Sequence, residues 1–281
     1  MEILGLELWQ VLLVLLAGFW AGTINSVVGS GTLVTFPVLV SVGFPPVTAQ
    51  MSNAIGLVAA GFSGTWGYRR ELYQAKAVVP VLTTASLLGG LIGSGLLMVL
   101  PEAVFSFVAP ILIVFAIIFV ILQPKMSAWV KARKARQQQD DAPPAESESI
   151  VPVPTGPVSP LLWVLVFLIG IYGGYFVAAQ GVLLIGVLGV FLNGLLVHAN
   201  AVKTWLSTVV NVVAALGYII FAFDRINWTA VLLIAVSSLI GGSVGAQIGR
   251  RISPLVLRIV IVIVAVAGLI NLVFDPFGTG A

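Results

Sequence analysis

The stretch from Gly18 to Asn53 reads GFWAGTINSVVGSGTLVTFPVLVSVGFPPVTAQMSN and is apolar enough to lie in lipid. Glycine, proline, serine, threonine and asparagine interrupt it where a plain spanning helix would carry leucine. A second stretch with the same layout follows 152 residues later, from Gly170 to Trp205, as GIYGGYFVAAQGVLLIGVLGVFLNGLLVHANAVKTW. Paired, interrupted apolar segments in corresponding halves of a chain are typical of the substrate site of a membrane transporter.

The correspondence extends beyond these two stretches, and it needs no insertion. Glycine and small residues recur at the same offset of 152 residues, which predicts a duplicated chain. The matched pairs are Gly18 with Gly170, Gly22 with Gly174, Gly29 with Gly181, Ala49 with Ala201, Ser52 with Thr204, Gly89 with Gly241, Gly90 with Gly242, and Gly93 with Gly245.

The composition places most of the chain in lipid. Of its 281 residues 59% are hydrophobic and only 8% are charged, with a mean hydropathy of +1.14, whereas a soluble domain carries about 25% charged residues. The absence of cysteine excludes disulfides and thiolate metal sites, and one histidine cannot form a metal cluster. The net charge of +3 comes from short loops and does not indicate nucleic-acid binding.

The apolar segments predict an all-α membrane protein with interrupted or re-entrant helices in each half and about eight to ten membrane segments. Residues 1–123 form the first predicted repeat and residues 160–281 the second. Residues 124–159 are charged, glutamine-rich and proline-rich, and they predict a flexible cytoplasmic linker. The predicted segments are Trp9–Val28, Leu33–Val42, Val47–Gly67, Ala77–Val99, Ala103–Leu122, Leu161–Ala178, Val182–Leu196, Ala199–Phe223, Trp228–Ile248 and Leu255–Phe274.

The positive charges predict how the halves are oriented. Lys and Arg concentrate in cytoplasmic loops, and the basic loops are Arg69–Lys76, Lys125–Arg136 and Arg250–Arg258. The counterpart of Arg250–Arg258 in the first half is Leu100–Glu102, which carries no positive charge. Equivalent loops on opposite sides predict an inverted repeat with five crossings per half; a parallel duplication is the alternative. The expected location is the inner or plasma membrane, with multiple passes.

The acidic residues restrict the function further. All ten lie in predicted loops, tails or span ends, so no carboxylate is available for a proton relay or a cation site in the membrane. No paired carboxylates or Ser-His-Asp arrangement can be assembled in the spans, so we expect no enzyme activity. No cofactor and no metal site are expected.

The polar residues and glycines that remain in the apolar segments suit an anion-binding site. Uncharged donors and glycines with exposed main-chain amides meet near Gly29–Gly31, and a helix that begins after a break there would bind an anion through its dipole. The alternative is structural, because such hydroxyls often bond their own helix and asparagine joins helices. The candidates in this run are Asn25, Ser26, Gly29, Ser30, Gly31 and Thr32.

Further candidates come from the following helix and from the second half. Lys203 is the one cation between long apolar runs, and it could neutralise an anion or extend to the headgroups. The other candidates could contact the anion, or they could cap helices and pack between them. These candidates are Ser52, Asn53, Gln180, Gly181 and Thr204.

Several motifs occur in an order that resembles the TauE/SafE family of membrane permeases, described as probable sulfite exporters. They are AGTINSVVGSGTLVTFPVLV and SNAIGLVAAGFSGTWGYRREL in the first half, and ANAVKTWLSTVVN and LIGGSVGAQIGRR in the second. The resemblance covers Gly18–Val99 and Gly170–Val273 and implies a permease that moves sulfite or organosulfonate-type anions, often outward. This sequence departs from the glycine-rich run of the family, in which an acidic or polar residue precedes consecutive glycines. Asn25 and Ser30 stand at the polar places here, and Gly181-Val182-Leu183 lacks the consecutive glycines of the second repeat.

We therefore predict a transporter that exports a small sulfur-containing anion, sulfite or an organosulfonate, by alternating access. An anion channel could use the same polar lining, and a membrane scaffold that docks a partner through its linker is the third alternative. The expected partners are the anion, the lipid bilayer and, in a homodimer, a second copy of the chain; no nucleic acid is expected.

Overall fold

The computed structural model describes residues 2–3, 6–140, 157–192, 196–248 and 254–274. Within these residues the chain forms eleven α-helices, a 3₁₀ turn at Phe223–Arg225 and one pair of two-residue strands. The strands, β1 (Glu2–Ile3) and β2 (Leu6–Glu7), pair antiparallel before the first helix. The prediction of a helical membrane protein is confirmed, and this short hairpin was not predicted.

The helices fall into two similar series, one in each half of the chain. The first comprises α1 (Leu8–Val27), α2 (Thr32–Ser41), α3 (Pro46–Gly67), α4 (Arg69–Gln74), α5 (Val79–Val99) and α6 (Glu102–Asp140). The second comprises α7 (Pro160–Tyr175), α8 (Gln180–Phe191), α9 (Leu196–Phe221), α10 (Trp228–Ile248) and α11 (Pro254–Phe274).

Six helices in the described part of the chain are long and apolar enough to cross a membrane: α1, α5, α6, α9, α10 and α11. Three more, α2, α7 and α8, are apolar but shorter. Helix α3 has the length of a span, yet its sequence contains glutamine, asparagine, serine and threonine. Its polar residues are accommodated because the helix is packed among α2, α9 and α10 and much of it is buried in protein.

Helix α6 corrects the predicted linker. It continues to Asp140, so residues 124–140 are helical, and the expectation of a flexible chain is wrong for them. Residues added to the end of a formed helix need no separate nucleation step. The extension also packs on α8, where Met126 lies against Gly186 and Val130 against Gly189. Residues 141–156 of the predicted linker and residues 249–253 of the predicted basic loop lie outside the described residues.

Glycines bring the helices of one half into direct contact with helices of the other. Added methyl groups at Gly22 and Gly241 would overlap the main chains of Ser238 and Phe19, respectively. Gly18 lies against Ile234, one turn earlier on both helices, so α1 and α10 run in the same direction. Such close approach lets helices gain van der Waals contact in lipid, where burial from water supplies no driving force.

The same contacts recur between α5 and α7 at equivalent positions. Gly89 lies against Ile171 and Gly93 against Tyr175, which correspond to the contacts of Gly241 with Phe19 and of Gly245 with Thr23. Helices α5 and α7 therefore also run in the same direction. The duplicated sequence is matched by duplicated packing.

Two three-helix units result. The first unit comprises α1, α3 and α10. Helix α3 runs in the same direction as α10, since Gly56 lies against Ile234 and Gly242 against Ser63. The second is α5, α7 and α9, in which Trp205 Nε1 donates to Thr83 Oγ1 at 2.8 Å and Gly90 lies against Val210. The units meet where α3 crosses α9 in the opposite direction.

Candidate functional site

The first interruption lies between α1 and α2. The amides of Val28 and Gly29 both donate to Ile24 O, at 2.7 and 3.0 Å, which ends α1. Gly29 has a φ of +88°, a left-handed conformation in which a side chain would be strained. The chain then turns through Ser30 and Gly31 and restarts as a helix at Thr32. The predicted break near Gly29–Gly31 is confirmed.

The second interruption lies between α7 and α8. Helix α7 ends at Tyr175, and Ala179 adopts a left-handed φ of +60° directly before α8 begins at Gln180. Tyr172 OH donates to Ala178 O at 2.6 Å and holds this turn against α7. A non-glycine residue in this conformation costs about 1–2 kcal/mol, so the surrounding packing maintains the break.

The two interruptions meet at Gly29 and Gly181. A Cβ atom at Gly29 would lie 2.9 Å from Gly181 Cα, and one at Gly181 would lie 2.6 Å from Gly29 O. Neither position leaves room for a side chain. These two glycines are equivalent in the duplicated sequence, so the halves touch at matching points.

Lys203 supplies a positive charge at this junction. Its side chain extends from α9 toward α1, where Nζ lies 3.4 Å from Asn25 O and beside Gly29. Lys203 is only 2% exposed, and no carboxylate in the described part of the chain forms an ion pair with it. The C-terminal carbonyl of α1 compensates part of the charge. An uncompensated buried ammonium is costly, and an anion would complete its coordination.

Hydrogen-bond donors surround the same junction. The amides of Ser30, Gly31, Thr32 and Gly181 reach no acceptor among the described residues, because each precedes or opens a helix. Both amide atoms of Gln180 and the hydroxyl of Ser30 are buried with no partner in the described part of the chain. Buried polar groups without protein partners are rare in native proteins, and an ordered water or a bound ion satisfies such groups.

The chemistry of this arrangement favours an anion. One cation, several main-chain amides and neutral donors converge at two helix starts, which is the composition of an anion site. No cluster of His, Asp or Glu that could hold a metal occurs within the described ranges. An anion at this point would meet one cation and several neutral donors.

Comparison with known proteins identifies the family of this chain. A family model described as sulfite exporter TauE/SafE matches residues 14–272. The chain belongs to the TauE/SafE family. It is a multi-pass membrane transporter of that family, and the match covers both halves and the segment between them.

Relatives of this TauE/SafE protein carry names of the same kind. A "probable membrane transporter protein ORF9" from a Sinorhizobium species is 28% identical over 92% of this chain and 91% of its own length. A "probable membrane transporter protein" from Haemophilus influenzae is 22% identical over 97% of both chains. The "probable membrane transporter protein YfcA" of Escherichia coli K12 is 21% identical over 92% of this chain and 87% of its own. No solved structure matches this fold.

The remaining candidates of this TauE/SafE protein support the junction from the outside. Asn53 accepts from Thr35 Oγ1 and donates to Thr32 Oγ1 at 3.2 Å, so α3 holds the first turn of α2. Ser26 Oγ lies 3.2 Å from Gly242 O and joins α1 to α10. These side chains are satisfied by protein, as expected for positioning groups.

Ser52 and Thr204 lie well inside α3 and α9, so the alternative that they cap their own helices is wrong. Ser52 instead accepts from the amide of Asn227, directly before α10, at 2.9 Å. Thr204 donates to Asn200 O within α9. Asn25 contributes its main-chain carbonyl to Lys203, while its side chain is half-buried.

Three buried residues of this family member were not predicted. Both amide atoms of Gln50, which is 0% exposed, reach no partner among the described residues. Gln50 lies one turn before Asn53 and shares its helix face. Gln123 Nε2 is 3.5 Å from Val28 O at the first break. The missing side chain of Gly173 leaves the space that the Gln180 amide occupies. A lone glutamine in an apolar span is the sequence signal that could have identified Gln50 and Gln123.

Proposed function

We propose that this protein exports a small sulfur-containing anion, sulfite or an organosulfonate, and that the anion binds where the two interruptions meet. The observation that carries the proposal is Lys203, a buried cation beside the paired helix starts that has no carboxylate partner among the described residues. A sulfur oxyanion presents several acceptor oxygens and a negative charge. It would therefore satisfy the ammonium and the free amides together.

Lys203 is the direct charge partner in this proposal. Its Nζ lies 3.4 Å from Asn25 O and is buried in the interior, which favours anion binding over extension to the headgroups. Gln180, Ser30 and the amides of Gly31, Thr32 and Gly181 supply neutral hydrogen bonds. Ser26, Ser52, Asn53 and Thr204 position the helices that carry these donors.

We infer that the two halves form an inverted repeat. The observed helix directions support this, because α1 runs with α10, α5 runs with α7, and α3 runs against α9. Helices α1, α3 and α5 thus point opposite to their counterparts α7, α9 and α10. If an axis in the membrane plane relates the halves, the contact of Gly29 with Gly181 lies near the bilayer centre.

The two three-helix units support a proposal of alternating access. Glycines pack each unit closely, and Gly61 of α3 also lies against Thr208 of α9 at the boundary between the units. At the same boundary Lys203 reaches from the second unit to Asn25 of the first. Thr65 and Thr208 also meet across this boundary, at 3.3 Å between hydroxyl oxygens. Rocking one unit against the other would break these few polar contacts and open the junction to one side at a time.

The proposed membrane is the inner or plasma membrane, with Arg69–Lys76 and the segment between the repeats in the cytoplasm. The basic residues of these segments support that orientation. A homodimer stays a prediction that the mass of the purified protein would test.

Transport by purified protein in proteoliposomes tests the function. We expect uptake of sulfite or an organosulfonate to saturate, and chloride or phosphate at equal concentration to compete weakly. Electrical recording on the same vesicles distinguishes a channel, because single-channel currents would contradict a carrier. Protein from which residues 141–149 are deleted should retain transport, whereas loss of transport in a folded deletion variant would favour the scaffold alternative.

A further inference from the structure

A second charged feature lies away from the junction, in a groove between α3, α4 and α5. It has a volume of about 430 Å³, and its wall is largely apolar. The groove is lined by Phe62, Thr65, Trp66, Arg69, Tyr73, Lys76 and neighbouring apolar residues. It is formed where α3 ends, the short helix α4 turns the chain and α5 begins.

Two cations lie at the rim of this groove, each over an aromatic ring. The Arg69 guanidinium carbon is 5.1 Å from the centre of the Trp66 ring, and Lys76 Nζ is 5.0 Å from the centre of the Tyr73 ring. Arg69 Nη1 also donates to Trp66 O at 3.1 Å. Neither cation forms an ion pair with a carboxylate in the described residues. The cations are thus oriented by aromatic rings and retain their attraction for an anion.

The aromatic residues of the groove face outward. Phe62, Trp66 and Tyr73 are 55%, 72% and 70% exposed, at the end of one helix and on the short helix that follows. Tryptophan and tyrosine at span ends lie at the level of the lipid headgroups. The groove therefore opens to lipid at the membrane surface, with an apolar floor below two cations.

The equivalent place in the second half provides a comparison within the same molecule. There Phe223 and Trp228 pair with their ring centres 5.2 Å apart, and Asp224 directly precedes Arg225. This connection carries one cation and one carboxylate. The segment Arg69–Lys76 instead has three cations and one carboxylate, Glu71. The excess positive charge is specific to the first half and is not a general property of these connections.

We propose that the groove binds an anionic phospholipid, with its phosphate between Arg69 and Lys76 and an acyl chain along Phe62 and Pro80. Charge complementarity and the apolar floor together identify this occupant, because a free phosphate would use only the rim. Basic residues next to a span attract acidic lipids of the adjacent leaflet. The site is separate from the junction at Lys203 and does not depend on the transported anion.

Native mass spectrometry of the full-length protein, taken from nanodiscs of equal phosphatidylglycerol and phosphatidylcholine, tests the proposal. We expect the wild-type protein to retain phosphatidylglycerol preferentially, and Arg69→Gln/Lys76→Gln to lose at least about fivefold of that preference. The matched control is Lys125→Gln/Arg225→Gln, which removes the same two charges from exposed positions elsewhere. This control should keep the wild-type preference.

Three results would overturn the proposal. One is equal lipid preference in the groove variant and the control. Another is complete displacement of the lipid by inorganic phosphate, which would assign the rim to a free anion. The third is a change of oligomeric mass in the groove variant without a change in lipid preference, which would make the groove a contact between copies. If the double variant does not fold, the single Arg69→Gln and Lys76→Gln variants should each lose part of the preference.

Discussion

The main chain of Gly29 lies directly against the main chain of Gly181, at equivalent positions of the two halves. Each glycine follows or adjoins a break in the helices, and Lys203 Nζ lies beside the first of them. The contact brings two helix starts to one point. It is the structural basis for placing the anion there.

Alanine at these glycines should destabilise the protein for two separable reasons. Gly29→Ala combines a left-handed φ with overlap, whereas Gly181→Ala introduces overlap alone. Gly43 has a φ of +102° in open space, so Gly43→Ala measures the conformational term, about 1–2 kcal/mol. Thermal unfolding in detergent should show the largest loss for Gly29→Ala. Gly95→Ala, in open space inside α5, should be as stable as wild type or more stable, and equal stability of all four variants would contradict the packed junction.

Substitutions at the buried glutamines should change anion binding without lowering the stability of the protein. Replacing a buried amide that has no protein partner by leucine should leave the unfolding temperature unchanged or raise it. If Gln180 contacts the anion, Gln180→Leu should nevertheless weaken sulfite binding about tenfold, and Gln50→Leu tests whether α3 contributes as well. Gln10 donates to Val42 O and is the control, since Gln10→Leu should affect stability alone. Wild-type binding by a folded Gln180→Leu protein would remove Gln180 from the site.

Asn53 should act on stability more than on affinity. Its amide joins Thr32 to Thr35, so Asn53→Ala leaves buried hydroxyls with fewer partners and should cost about 1–3 kcal/mol. Chemical denaturation in detergent measures this, with the exposed Ser243→Ala as reference. An Asn53→Ala protein with wild-type stability and no anion binding would instead place the Asn53 amide on the anion.

The absence of cysteine makes the orientation of the halves directly measurable. Single cysteines at Arg70 and Asp224, both exposed, mark equivalent connections of the two halves. For an inverted repeat, a membrane-impermeant maleimide should label Arg70→Cys only from the cytoplasmic side and Asp224→Cys only from the opposite side. Labelling of both from the same side would establish a parallel duplication.

The first break was predictable because its cause is visible in the sequence. Gly29, Ser30 and Gly31 combine conformational freedom with polar groups inside an apolar segment. The repeat also predicted the second break, between Leu161–Ala178 and Val182–Leu196, and it lies at Phe176–Ala179, which contains neither glycine nor proline. Tertiary packing holds Ala179 in a left-handed conformation there, and a single sequence does not reveal that constraint.

The extension of α6 was missed for a different reason. Charge and glutamine content argue against independent folding of residues 124–140, yet this segment continues an existing helix. Met126 and Val130 fit against glycines of α8 that are distant in sequence. The roles of Ser52 and Asn53 likewise depended on partners in other helices, which residue type alone cannot assign.

The affinity of purified protein for sulfite, compared between wild type, Lys203→Met and Lys125→Met by calorimetry, tests the central claim most directly. Removal of a charge-assisted contact should weaken binding by at least about tenfold in Lys203→Met. Its thermal stability should be maintained or increased, because a buried charge without a carboxylate partner is removed. Lys125 is exposed on α6, and its variant should bind like wild type. Unchanged sulfite affinity in a folded Lys203→Met protein would contradict an anion site at the junction of Gly29 and Gly181.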